Sequence, residues 1–122
     1  MDKEKQKERL EKYLSQCKAT EASFPFGPEA MVFKIMGKMF ALVSQNEKNS
    51  QVTLKCKPAD AEILTSQFES IVPGYHMNKK HWITISLNGE IPEEMILDLA
   101  DGSYGLVTSK LTRADKNKLN LI

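Results

Sequence analysis

Apolar residues recur along this chain with two periods, and each period predicts an element. Leu10, Tyr13, Leu14 and Cys17 fall at i, i+3, i+4 and i+7 among charged neighbours, which predicts an amphipathic helix over roughly residues 3 to 18. Residues 19 to 29, ATEASFPFGPE, carry two prolines and a glycine and predict a loop. Two β-prone runs follow, 31 to 36 and 39 to 45, with Gly37-Lys38 between them as a hairpin turn. Glu47-Lys48-Asn49 reads as the next turn. QVTLKC, 51 to 56, alternates with period two: Val52, Leu54 and Cys56 point inward, Thr53 and Lys55 outward. On the same logic Phe33 and Ile35 point inward and Lys34 outward.

Pro58 then opens a second helix, PADAEILTSQFES, with Ala61, Leu64 and Phe68 on its inner stripe. Val72-Pro73-Gly74 stops it. Gly74 to Met77 predicts a fourth strand, Asn78 to Lys80 a hairpin tip, and Trp82 to Leu87 a fifth strand with Ile83, Ile85 and Leu87 inward. Pro92-Glu93-Glu94 starts a third helix carrying Ile96, Leu99 and Ala100 inward. Gly102 and Gly105 predict that it breaks or bends. Thr112 is placed to cap a short last helix near 112 to 119. The order α-β-β-β-α-β-β-α predicts a two-layer α+β domain over residues 1 to 122, an antiparallel sheet with the helices on one face.

Composition adds little to this. Hydrophobic residues make up 41% and charged residues 27%, as in an ordinary globular domain. There is no apolar run long enough for a membrane span, and the charged start lacks the apolar stretch of a secretory signal. With two well-separated cysteines, Cys17 and Cys56, the expectation is a cytoplasmic protein with reduced thiols. The net charge is +1, but it alternates along the chain. Residues 30 to 57 hold five lysines against Glu47, residues 90 to 105 hold five acids and no base, and residues 106 to 122 return to +3. This alternation acquires meaning only if folding brings the basic pieces together.

Candidate chemistry concentrates in GYHMNKKHW, residues 74 to 82. His76 and His81 lack the nearby third and fourth ligands that a zinc site needs. Neither cysteine stands in a setting that would lower a thiol pKa, and no serine occupies a Gly-x-Ser-x-Gly elbow. An enzyme would require a pocket gathering His76, His81 and an acid such as Asp98 or Asp101 from a distant helix. No cofactor, metal or small-molecule ligand is implied, and the expectation is a non-enzymatic protein. A nucleic-acid partner fits better. Strand alternation sets Lys34, Lys55 and Trp82 outward with Thr53, Thr84 and Ser86, and hairpin tips add Lys38, Lys79 and Lys80. Lysines meet phosphates, and Trp82 or His81 stacks on a base or leans on sugar. The alternative is a protein-interaction module, with Val32, Met36, Phe40 and Trp82 on the open sheet face holding a peptide or a second copy of the chain.

The stretches FPFGPEAMVFKIMGKMFALV, LKCKPADAEIL, VPGYHMNKKHW and SYGLVTSKL closely resemble the MmcQ/YjbR-like proteins. The resemblance runs from about Phe24 to Leu111. It implies an α+β fold of the kind termed a DNA-binding double wing, and DNA as partner. The matching motif positions are Gly74, Tyr75, His76, Asn78, Lys79, Lys80, His81, Trp82, Ser103 and Tyr104. Gly105 stands where many relatives carry an acid.

Overall fold

A computed structural model describes residues 2–45, 50–74 and 78–122, with side chains from residue 5 onward. Two predicted features lie outside the described residues: the turn at Glu47-Lys48-Asn49, and Tyr75, His76 and Met77 of the predicted fourth strand.

The fold is α+β: among the described residues it has six antiparallel strands and four helices. Helix α1 spans Asp2–Ser15, followed by β1 Thr20–Ser23, β2 Ala30–Ile35, β3 Lys38–Gln45 and β4 Ser50–Lys55. Then come α2 Pro58–Gln67, β5 Ile71–Pro73, β6 Trp82–Ser86, α3 Glu93–Ser109 and α4 Arg113–Asn120. The sheet order is β1-β2-β3-β4-β6-β5. Inward residues of the central strands, Phe33, Ile35, Val43, Val52, Leu54, Ile83 and Ile85, are fully buried. They form one cluster with Leu10 and Leu14 of α1, Ala61 of α2, and Ile96, Ala100 and Val107 of α3. The helical and strand periods place these side chains where the sequence pattern puts them.

Several expectations are corrected. The predicted loop after α1 contains β1, which pairs Glu21 with Lys34 and Ser23 with Val32. Its residues, TEAS, are mostly exposed, because an edge strand with one wet side has no apolar signature. The first hairpin turns on Met36-Gly37, both at positive φ (51° and 79°), so Lys38 is the first residue of β3. The fifth strand in sequence is Ile71–Pro73, earlier than expected, in the residues read as a helix stop. α3 runs unbroken through Gly102 and Gly105 for 17 residues, because its packed face outweighs two weak helix formers. Thr112 caps α4 as expected, its hydroxyl accepting from the Asp115 N–H.

The largest departure from simple alternation is Phe40. Phe33 pairs with Ala41 and Lys34 with Met39, so Phe40 is the extra residue of a bulge in β3. The bulge turns its ring into the core, where it is 0% exposed. There it meets Phe33 at 6.5 Å and Tyr104 edge-on at 5.2 Å. Phe40 is therefore unavailable as part of an open docking face, and so is Val32, at 1% exposure.

Candidate nucleic-acid interface

The sheet has two ends, and the strand directions decide which residues reach each. β2 ends and β3 begins at Ile35 and Lys38, which pair with each other. β4 ends there at Lys55, opposite Trp82 at the start of β6. Hydrogen bonding continues one step further, the Cys56 N–H donating to the His81 carbonyl at 2.8 Å and the Gly74 N–H to the Trp82 carbonyl at 2.8 Å. Lys34, Lys38, Lys55, Lys57, Lys79, Lys80, His81 and Trp82 therefore all belong to one end of the sheet. α3 runs toward the same end. Its Ser103 hydroxyl accepts from the Lys55 N–H at 2.8 Å and donates to the Phe40 carbonyl at 2.5 Å, and Lys110 follows at its C-terminus. A cation there opposes the negative end of the helix dipole. At the opposite end, Leu87 bonds Ser50, and Glu90, Glu93 and Glu94 surround the start of α3. Arg9 of α1 pairs with Glu93 there at 2.7 Å.

The convergence has two parts. Lys55, Lys57, His81, Asn78, Trp82 and Lys110 line one cavity of about 430 Å³ with no acid among its walls. Trp82 is half-buried, so its ring is part wall and part surface. Lys79 and Lys80 lie on the flank of α2, with Pro58, Thr65 and Glu62. The Asn78 side chain holds this turn by accepting from the Lys80 N–H at 3.0 Å, an Asx turn. The second part is the β2–β3 hairpin, with Lys38 exposed and Lys34 half-buried opposite Glu21. That pairing reduces the charge Lys34 offers a phosphate.

Of the predicted residues, the fold thus joins Lys55, His81 and Trp82 in one cavity, keeps Lys79 and Lys80 beside it, and sets Lys34 and Lys38 apart on the hairpin. They meet at an end of the sheet rather than across its open face. The second face of the sheet carries the row Val32, Leu42, Thr53, Thr84 and Val72, with Val32 and Thr53 buried and the Thr53 and Thr84 hydroxyls bonded at 2.9 Å. Sequence reasoning missed Lys57 and Lys110. Both flank helix termini, and the available signal was positional: each sits next to a residue that starts or ends a helix.

Several other motif positions have structural roles. Gly74 lies so close to Trp82 that a Cβ at 74 would stand 2.8 Å from the tryptophan Cβ. The Tyr104 hydroxyl donates to the Lys18 carbonyl at 2.6 Å, tying α3 to the link between α1 and β1. His76, the other half of the histidine pair, lies outside the described residues. Asp101, a candidate acid for an enzyme pocket, accepts the Tyr13 hydroxyl at 2.6 Å. That bond is the main cause that pushes the Tyr13 pKa up to about 12.

Both cysteines are free thiols. Burial pushes the Cys56 thiol up, and the Asp60 carboxylate adds to this against a lowering backbone contact at Lys57. Burial and Asp101 raise Cys17 as well. Such thiols are poor nucleophiles at neutral pH. Among the described residues no group of three or more His, Cys, Asp or Glu is arranged around a metal position, and no helix is long and apolar enough to cross a membrane.

Comparison with known proteins matches residues 15–106 to the family model described as YjbR. Protein YbdF of Escherichia coli O157:H7 is 38% identical over 98% of each chain. Protein YjbR of Escherichia coli K12 is 36% identical over 75% of this chain and 76% of its own. Among solved structures, Deinococcus radiodurans protein DR2400, a DUF419 domain, superposes with a TM-score of 0.83 at 37% identity, covering 93% of this chain and 86% of its own. A Pseudomonas syringae protein superposes with a TM-score of 0.72 at 28% identity, covering 81% and 96%.

Proposed function

The chain belongs to the YjbR family, and from that premise we propose that it is a cytosolic, non-enzymatic DNA-binding protein. It meets phosphates with the lysine-bearing end of its sheet. One observation carries the reading: cations from four segments, Lys34 with Lys38 of the β2–β3 hairpin, Lys55 with Lys57, Lys79 and Lys80 beside His81, and Lys110, arrive at one end, while Glu90, Glu93 and Glu94 lie at the other. Opposed ends give the molecule a charge axis that orients it toward a polyanion. Six strands spaced about 4.8 Å apart make that end about 24 Å wide, enough to follow roughly seven base pairs of duplex. Trp82 supplies a flat surface beside the cations, suited to a sugar or an unpaired base. The contacts are to backbone, so the binding is tolerant of sequence.

The test is fluorescence anisotropy with a labelled duplex between about 50 and 200 mM salt. About five phosphate contacts give a slope of log affinity against log salt near −4.5. Lys55→Gln with Lys57→Gln lowers that slope by about two, and Lys7→Gln, on the side of α1 near Gln45, leaves it unchanged. Absence of binding at the lowest salt, or a slope indifferent to Lys55 and Lys57, overturns the proposal.

A further inference from the structure

Next to the cationic cavity lies a larger cleft of about 720 Å³ between α2 and α3. Its walls are mainly apolar: Ile63 and Leu64 on one side, Leu99 and Leu106 on the other. Ile63 is 54% exposed, high for an isoleucine on a helix packed against a core. The cleft and the cationic cavity share Lys55, Cys56, Lys57 and Leu106, so they form two chambers of one depression. One chamber is apolar. The other carries Lys57, Lys110 and His81.

The open space has an identifiable source. Gly102 and Gly105 line the cleft from inside α3. Neither is at positive φ, and a Cβ at either would meet nothing within 4 Å. Backbone conformation and packing therefore require glycine at neither position. In a helix interior each costs about 1 kcal/mol relative to alanine. What their missing side chains change is the room in the cleft.

We propose that the joined chambers bind an anionic amphiphile with a single head group, a medium-chain carboxylate. Its carboxylate sits among Lys57, Lys110 and His81, and its apolar body lies on Ile63, Leu64, Leu99 and Leu106. Charge complementarity fixes the orientation. Asp60 and Asp98 border the apolar chamber and balance Lys55 and Lys57, which the two chambers share, whereas the other chamber adds Lys110 and is lined by no acid, so a negative head is drawn there and a second negative charge on the body is disfavoured. A volume of about 720 Å³ falls within the range of small-molecule sites. The seven-residue step from Leu99 to Leu106 gives about 10 Å of helix for the chain to lie along.

Isothermal titration of the full chain with sodium decanoate, and separately with neutral decanol, tests this without nucleic acid, so the outcome is independent of the DNA-binding reading. Decanoate binds saturably at one site, and decanol binds about tenfold more weakly for want of the charge-assisted contacts. Lys57→Gln with Lys110→Gln brings decanoate down to the decanol level. Gly102→Leu with Gly105→Leu abolishes both titrations while melting at or above the wild-type temperature. Methyl resonances of Ile63, Leu64, Leu99 and Leu106 shift in the wild type, a readout that needs no variant to fold. Absence of saturable decanoate binding, equal affinity for the two probes, unchanged binding in the glycine variant, or unmoved methyl resonances each overturns the proposal.

Discussion

Ser103→Ala should destabilise the fold far more than an ordinary serine substitution. The bulge at Phe40 ends the regular β3–β4 register at Ala41 and Leu54. Just beyond, the Ser103 hydroxyl, 0% exposed, stands between the strands. It donates to the Phe40 carbonyl and accepts from the Lys55 N–H. Alanine removes one oxygen and leaves two backbone groups without that partner. Each such loss costs about 1–3 kcal/mol, and the carbonyl is the more tolerant of the two. Alanine returns about 0.5 kcal/mol through its better helix propensity. The expected net loss is about 2–3 kcal/mol, which lowers a urea midpoint by about 1–2 M at ordinary m-values. Ser66→Ala is the control: its hydroxyl back-bonds to Ile63 on an exposed helix surface, and its effect stays within about 0.5 kcal/mol. Hydrogen exchange at the Lys55 amide should accelerate in the Ser103 variant. A Ser103 loss below about 0.5 kcal/mol, with Lys55 protection intact, would refute the assignment of this hydroxyl as the link between the splayed strands.

Two further outcomes follow from the geometry. Gly74→Ala places a methyl 2.8 Å from the Trp82 Cβ and 3.3 Å from Trp82 backbone atoms; the β5–β6 pair must shift, at a cost of about 1–3 kcal/mol. A melting temperature equal to wild type would contradict that contact. Tyr13, raised to about 12 mainly by its bond to Asp101, holds its proton more tightly folded than unfolded. Its stabilising effect is thus complete below about pH 10 and disappears as pH climbs to about 12. Asp101→Asn should bring this tyrosine back toward its ordinary value in a tyrosinate absorbance titration, and an unchanged titration curve would exclude the Asp101 bond as the cause.

The elements that pack on the core were readable one by one. Leu10 and Leu14, Val52 and Leu54, Ile83 and Ile85, and Ile96 and Ala100 carry the helical or strand period, because side chains on one face of a helix or strand must share one environment. The α+β class follows from their order, and Thr112 from capping chemistry. Edge elements left no such mark: TEAS forms an exposed edge strand, and Ile71–Pro73 at the other edge sends only Ile71 into the core, too short a strand to show a period, in residues that overlap the helix stop. Phe40 was placed on the open face because alternation assumes an unbroken ladder, and a bulge is a property of two paired strands.

The sequence by itself determined which lysines exist and that they come in separated basic pieces. Tertiary structure alone decided that those pieces end at one end of the sheet, that Lys57 and Lys110 join them, and that Gly102 and Gly105 leave an apolar chamber alongside. Periodicity is a local property, fixed by backbone geometry over a few residues. Strand direction, sheet order and the gap between two helices arise from contacts between residues far apart in the chain, such as Ser103 with Phe40, 63 positions away, and Tyr13 with Asp101, 88 positions away, and no local pattern encodes them.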